Sequence, residues 1–304
     1  MDTQTSFVAR FSCKTRWLAL MSLVLASGAF AADAASSNPT LGFINELSDP
    51  VGSGFGLARM ESSVCFRVHN APDAMTDYLQ QRMATTAAAT NIAVQQPGCV
   101  PNVDVVFTHD ARATARDFIR QQPQLIRPFG NVAGTTQGTQ ALNEFARLDV
   151  PVRWWQTTVQ VDWNGDVAMN LPQSNSIVPV AGVSSHFTQG VRDRLLHSLI
   201  LVEIGKLGDT SWDQLADYLA MVALVQVNPH AQLAGHDSIL NLFDSGKPPA
   251  GLTAWDSAYL SSLYSINRHL YPHAQQGQLA EAMQRILQKD QLLFASQGRS
   301  AKSP

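Results

Sequence analysis

His230, His236 and Asp237 follow one another closely after a strongly apolar segment, and His269 and His273 are four positions apart. Imidazoles and carboxylates are zinc donors, and an i, i+4 pair places two of them on one helical face. Pro272 falls between His269 and His273 and disfavours a helix there. The histidines therefore read as scattered surface residues, with a metal site from His230, His236 and Asp237 as the minor alternative. Glu203 is the most unusual carboxylate, lying in the apolar run Leu199 to Ile204. It either points to solvent from an edge strand or is buried with a raised pKa. Neither a G-x-S-x-G elbow nor an S-x-x-K motif is present, so no nucleophile is marked. Trp154, Trp155 and Trp163 cluster around Asn164-Gly165; aromatic rings so placed make a sugar-binding face or pack a sheet. No catalytic residue, metal or cofactor is expected from these patterns.

The elements that must position these groups are readable from periodicity. Val64, Phe66 and Val68 alternate with polar neighbours, predicting a strand over 63–69. Pro72 and Asp73 open a helix to about Ala89, Val103 to Thr108 reads as a buried strand, and Ala111 to Gln121 as a helix. Asn164-Gly165 predicts a hairpin joining 153–163 to 166–171. A strand over 197–204 precedes Gly205 and Gly208. Thr210-x-x-Asp213 and Thr253-x-x-Asp256 then have the spacing of capping boxes. The first opens a helix over 210–227 that is apolar nearly all round and so belongs inside the domain; the second opens a helix bearing Trp255, Tyr259 and Leu260. A last helix is predicted over about 275–293, with a frayed tail from 295 to 304.

The N-terminus has the form of an export signal: Arg10, Lys14 and Arg16, the apolar run Trp17 to Leu25, and Ala29-Phe30-Ala31 before a cleavage point at Ala32. Loss of 1–31 takes the formal charge from −3 to −5. Such a mildly acidic chain with scattered charges does not suggest nucleic-acid binding, and no remaining run is long enough to span a bilayer. Residues 32–60 read as a flexible leader, and Gly52, Gly54 and Gly56 as a turn rather than a phosphate cradle. Cys65 and Cys99 remain after cleavage. In an exported chain they most simply form one disulfide, closing a loop of about 35 residues worth roughly 3–4 kcal/mol; the alternative is two free thiols.

The order of helix 210–227, Ser238-Ile239-Leu240, Leu252-Thr253-Ala254-Trp255-Asp256 and then Leu260 and Tyr264 resembles the C-terminal half of the metzincin zinc proteases. The resemblance implies a zincin-like fold that has lost its metal site. Asp217 stands where the first histidine of H-E-x-x-H would be, Tyr218 at the glutamate base and Met221 at the second histidine; a third histidine would fall at Val227. Of these only Asp217 has a donor suited to a metal. Gly98-Cys99-Val100-Pro101-Asn102-Val103 and Ala216-Asp217-Tyr218-Leu219-Ala220-Met221 also resemble exported proteobacterial proteins, a likeness that implies export and no activity.

These readings combine into a single α+β domain over 61–294, a mixed sheet with packed helices. The expected role is that of a periplasmic or secreted, non-catalytic binding protein whose partner is a protein or peptide of the cell envelope. The alternatives are a cell-envelope hydrolase with an unrecognised site and a carbohydrate-binding module built on the three tryptophans.

Overall fold

A computed structural model describes residues 38–48, 56–61, 63–121, 134–135, 138–167, 169–170, 177–178, 184–244 and 246–300. The signal segment expected over 1–31 lies outside the described residues. One α+β domain is seen, built on a mixed sheet.

The longest strand, β8 (Arg192–Glu203), is the organising element. Its run Leu199 to Val202 is fully buried, as a strand covered on both faces must be. Strand β5 (Val152–Val161) pairs with it antiparallel along its whole length, with an irregularity at Thr157/Thr158. On the other side β3 (Val103–Thr108) pairs with it in parallel, and so, nearer its start, does β1 (Arg59–Met60). Strand β2 (Phe66–His69) pairs with β3, and β4 (Gly134–Thr135) with β5. Helix α2 (Asp73–Ala89) makes the crossover that the parallel β2–β3 pair requires. Two short strands, β6 (Met169–Asn170) and β7 (Ile177–Val178), pair only with each other.

Helices cover the sheet on both faces. One face carries α3 (Ala111–Gln121) and α4 (Gly138–Arg147) over Val106, Trp155, Leu199 and Leu201. The other carries the larger core, where α1 (Pro39–Leu47), α2, α5 (Trp212–Leu224), α6 (Ala254–Leu263) and α7 (Pro272–Ser300) meet Val105, Phe107, Ile200 and Val202. Helix α5 is buried along almost its whole length from Leu215, as its all-round apolar sequence requires. Cys65 and Cys99 form a disulfide with Cα atoms 6.1 Å apart. It ties the approach to β2 to the approach to β3. No helix among the described residues is long and apolar enough to cross a membrane.

Several expectations are corrected. Residues 39–47, placed in a flexible leader over 32–60, form α1, capped by Asn38 and started by Pro39. Phe43, Ile44 and Leu47 are fully buried, each contributing about 1.5–3 kcal/mol. Their i, i+1, i+4 spacing was masked by the small polar residues before them. Among the described residues the hairpin after Asn164-Gly165 is reduced to a single bridge, Val161 to Val167, because the partner of β5 is β8. The box that starts α5 is Ser211 with Gln214, one residue later than predicted. Thr210 is diverted, its hydroxyl donating to the Leu207 carbonyl at 2.6 Å. The second box, Thr253 with Asp256, is present. Pro272 begins α7 instead of preceding it, and the helix continues to Ser300, through the start of the expected tail; proline is well suited to a first helical turn.

Candidate functional site

The positions that the zinc-protease comparison singled out do not converge. Asp217 is buried and faces α2, where Arg82 grips it with two bonds, Nε to Oδ1 at 2.8 Å and Nη2 to Oδ2 at 2.9 Å. The Leu252 amide completes the clamp at 2.8 Å. Met221 is fully buried in the core, and Val227 also. Tyr218 turns the other way, toward a cleft under the start of β5.

That cleft has a volume of about 280 Å³. Trp154 reaches it from β5, Tyr218 from α5, and Asn241 and Phe243 from the turn after Ser238, while Val227 and Leu233 close one side. The Trp154 and Tyr218 rings meet edge to face at 6.3 Å, and Tyr218 and Phe243 likewise at 5.1 Å. Such arrangements are worth about 0.5–1.5 kcal/mol beyond burial, so the walls are pre-set. Trp154 is further pinned by its indole N–H, which donates to the Val227 carbonyl at 3.1 Å.

Besides the buried Nε of Arg153, two polar atoms of this wall make no hydrogen bond among the described residues. The amide nitrogen of Asn241 donates to the carbonyls of Leu233 and His236, which leaves its Oδ1 buried and unpaired. The Tyr218 hydroxyl makes no hydrogen bond among the described residues, and burial, with the carboxylate of Asp244 nearby, pushes its pKa well above the usual phenol. It stays protonated and available as a donor. Aromatic walls with a free donor and a free acceptor suit an apolar group carrying a polar function; Asp149, Asp244 and Asn228 also line the cleft.

The other candidates are dispersed. Trp155 points to the opposite sheet face and is buried against Phe145. Trp163 is 39% exposed and stacks on His269 at 4.0 Å. The three tryptophans therefore share no surface. Glu203 is not on an edge strand: its carboxylate, mostly buried, meets Lys206 at 3.0 Å and the Ala111 amide at 3.3 Å. His230 pairs with Glu144 at the surface, and His236 packs edge-on between Phe43 and Trp255. Asp237 is exposed, and no cluster suited to a metal ion occurs among the described residues.

A third grouping was missed in the sequence. Asp104 of β3 bridges His69 of β2, at 2.7 Å, and His197 of β8, at 2.9 Å. Only pairing of three strands distant in sequence could reveal it. Burial raises the Asp104 pKa, but the bonds from His197 and His69 outweigh this and hold it below its ordinary 3.8. A depressed carboxylate stabilises the fold above its unfolded pKa and loses that contribution as pH falls through the folded value. Unfolding free energy measured from pH 5 to 2.5 should therefore drop below about pH 4, and Asp104→Asn should flatten the drop. An unchanged slope would refute this role.

The cleft residues missed by sequence, Asn241 and Phe243, lie on a 3-10 turn, Ile239–Phe243, which leaves no periodic signal. Searches with family models, curated proteins and solved structures return no match to this chain.

Proposed function

We propose that this chain is an exported, non-catalytic binding protein that receives an apolar group of a cell-envelope peptide or protein in the cleft of Trp154, Tyr218 and Phe243. The observation that carries the reading is the Tyr218 hydroxyl, available in the same aromatic-walled cleft as the unpaired Asn241 Oδ1. The disulfide and the signal-like N-terminus support an oxidising, extracytoplasmic setting. In this reading the zincin-like half is a matter of fold alone, and α5 serves to present Tyr218.

A cleft of this volume lies at the small end of ligand sites, which suits one large side chain better than an oligosaccharide. A hydrolase of the serine or cysteine type would need a nucleophile at a histidine. His197 is the best-placed base, yet its Nδ1 has no partner among the described residues.

The test is titration of the folded chain with indole and with p-cresol, followed by calorimetry and by protein NMR shifts. Saturable binding is expected, weakened about tenfold by Trp154→Ala, as for a buried aromatic anchor. Tyr218→Phe should weaken p-cresol about fivefold, the loss of one hydrogen bond. Absence of saturable binding, or binding indifferent to both substitutions, would sink the proposal.

A further inference from the structure

Apart from this cleft, a second region of the fold gathers several largely buried arginines. Glu61, just after β1, accepts both bonds of the Arg192 fork, each at 3.0 Å. Arg268, from the loop before α7, pairs with the same carboxylate. The side chains of Glu61, Arg192 and Arg268 are all largely buried. Arg59 lies beside them, its guanidinium 5.1 Å from the centre of the Tyr264 ring and bonded to the Leu263 carbonyl. No carboxylate among the described residues lies within ion-pair distance of Arg59. Two guanidinium groups thus share the Glu61 carboxylate, and the third, Arg59, has none in contact. The nearby carboxylate of Asp162 is turned away to the amides of Asn164 and Asp166, at 2.9 and 3.0 Å.

Burying a cation without a counterion is strongly unfavourable. Burial, and then the charge of Arg268, bring the Arg59 pKa down to about 10. Within the fold the Arg59 guanidinium is held by the Leu263 carbonyl and the Tyr264 ring, neither of which neutralises its charge. The cluster also opens outward. Arg59, Arg268, Glu61 and Tyr264 line a cavity of about 430 Å³, with Ser63 and Asn91 at its rim. It shares no lining residue with the aromatic cleft. Tyr264 is already committed, donating to the Leu224 carbonyl at 2.6 Å and accepting from the Met60 amide at 3.2 Å. It fixes the Arg59 guanidinium from behind and leaves the remaining N–H groups of Arg59 to a ligand. Guanidinium forks match oxyanions geometrically.

We infer that the cavity of Arg59 and Arg268 is a binding site for a small oxyanion, the phosphate or carboxylate group of a ligand, which supplies the negative charge that Glu61 alone does not. The ligand accepts from Arg59 and Arg268, with the Asn91 amide and the Ser63 hydroxyl at the mouth.

The test uses the whole folded chain at low ionic strength, with sodium phosphate and sodium acetate titrated against sodium chloride of matched ionic strength. Melting temperature and calorimetry are the readouts. At least one of the two anions should raise the melting temperature saturably beyond chloride; phosphate ahead of acetate assigns a phosphate group, and the reverse a carboxylate. Arg59→Gln should weaken that binding at least about tenfold. Should Arg59→Gln fail to fold, Asn91→Asp decides. Asn91 is exposed and has a positive φ of 61°, which aspartate tolerates. The added charge at the mouth should weaken the anion several-fold without disturbing the buried cluster. Equal effects of phosphate, acetate and chloride would overturn the inference, and so would anion binding that survives these substitutions.

Discussion

Asp256→Ala is expected to cost about 4 kcal/mol of folding stability, at the upper end of what a single polar deletion produces. Its side chain is fully buried. It accepts from the Ser238 hydroxyl at 2.6 Å, the Ile239 amide at 2.7 Å, the Thr253 amide at 3.0 Å and the Thr253 hydroxyl at 2.8 Å. Alanine leaves these donors without an acceptor in a dry interior. Asparagine keeps one oxygen but turns an N–H₂ toward donors, so Asp256→Asn should recover only part of the loss.

The pH dependence of this group runs opposite to that of Asp104. Burial raises the Asp256 pKa above 3.8, and the bonds from Ser238, Ile239 and Thr253 offset it only in part. Between the unfolded and folded values the native state holds the proton more tightly, so the contribution of Asp256 declines as pH rises through that window. Denaturant unfolding of both variants at neutral pH checks the magnitude. A loss below about 1 kcal/mol for alanine would mean that the turn re-forms around other partners. The consequence reaches the cleft, because Ser238 begins the turn that carries Asn241 and Phe243. Asp256→Ala should weaken indole binding even at temperatures where the chain remains folded.

What the sequence revealed follows the range of the interactions involved. Helix α2, strand β3, helix α3 and the Thr253–Asp256 box are set by neighbours a few residues apart, and each was legible. The disulfide was legible through chemistry, since the two cysteines left by the expected signal cleavage would have few other fates in an oxidising compartment. Helix α1 was lost because its apolar residues occupy barely more than one turn and follow a polar leader. Strand β5 was paired with the wrong neighbour for a related reason. Asn164-Gly165 does make the turn, with Gly165 at φ 90°, but a local signal cannot say that a distant strand, β8, outcompetes the return arm. The sites suffered most. Tyr218 and Trp154 were both singled out, for unrelated reasons, and the fold brings them to one cleft. Asn241, Phe243, Arg59 and the Asp104 histidine pair derive their roles wholly from tertiary contacts.

Asp217→Ala is expected to cost about 3 kcal/mol, less than Asp256→Ala because the side chain of Arg82 is 37% exposed and partly solvated. The loss arises from three groups. Arg82 forfeits both arms of its fork, the Leu252 amide forfeits its acceptor, and the polar contact between α2 and α5 is left to Asp213, which still meets Arg82 at 3.0 Å and accepts from the Tyr78 hydroxyl. The fit at Leu252 is close: a Cβ added at Gly251 would lie 2.7 Å from the Asp217 carboxylate. Gly251→Ala should therefore weaken the same clamp, and its cost should shrink once Asp217 is already alanine. A double-mutant cycle on Arg82→Met and Asp217→Ala should return a coupling of about 1–2 kcal/mol. These numbers decide between two views of the position. A leftover metal ligand has no partner to lose, so its removal would be close to neutral and its coupling to Arg82 near zero. A structural clamp destabilises when cut, and is coupled to the arginine that it holds. The geometry of two guanidinium bonds and one amide bond on a single buried carboxylate predicts the second result, with Tyr218 and not Asp217 as the residue of α5 that meets a ligand.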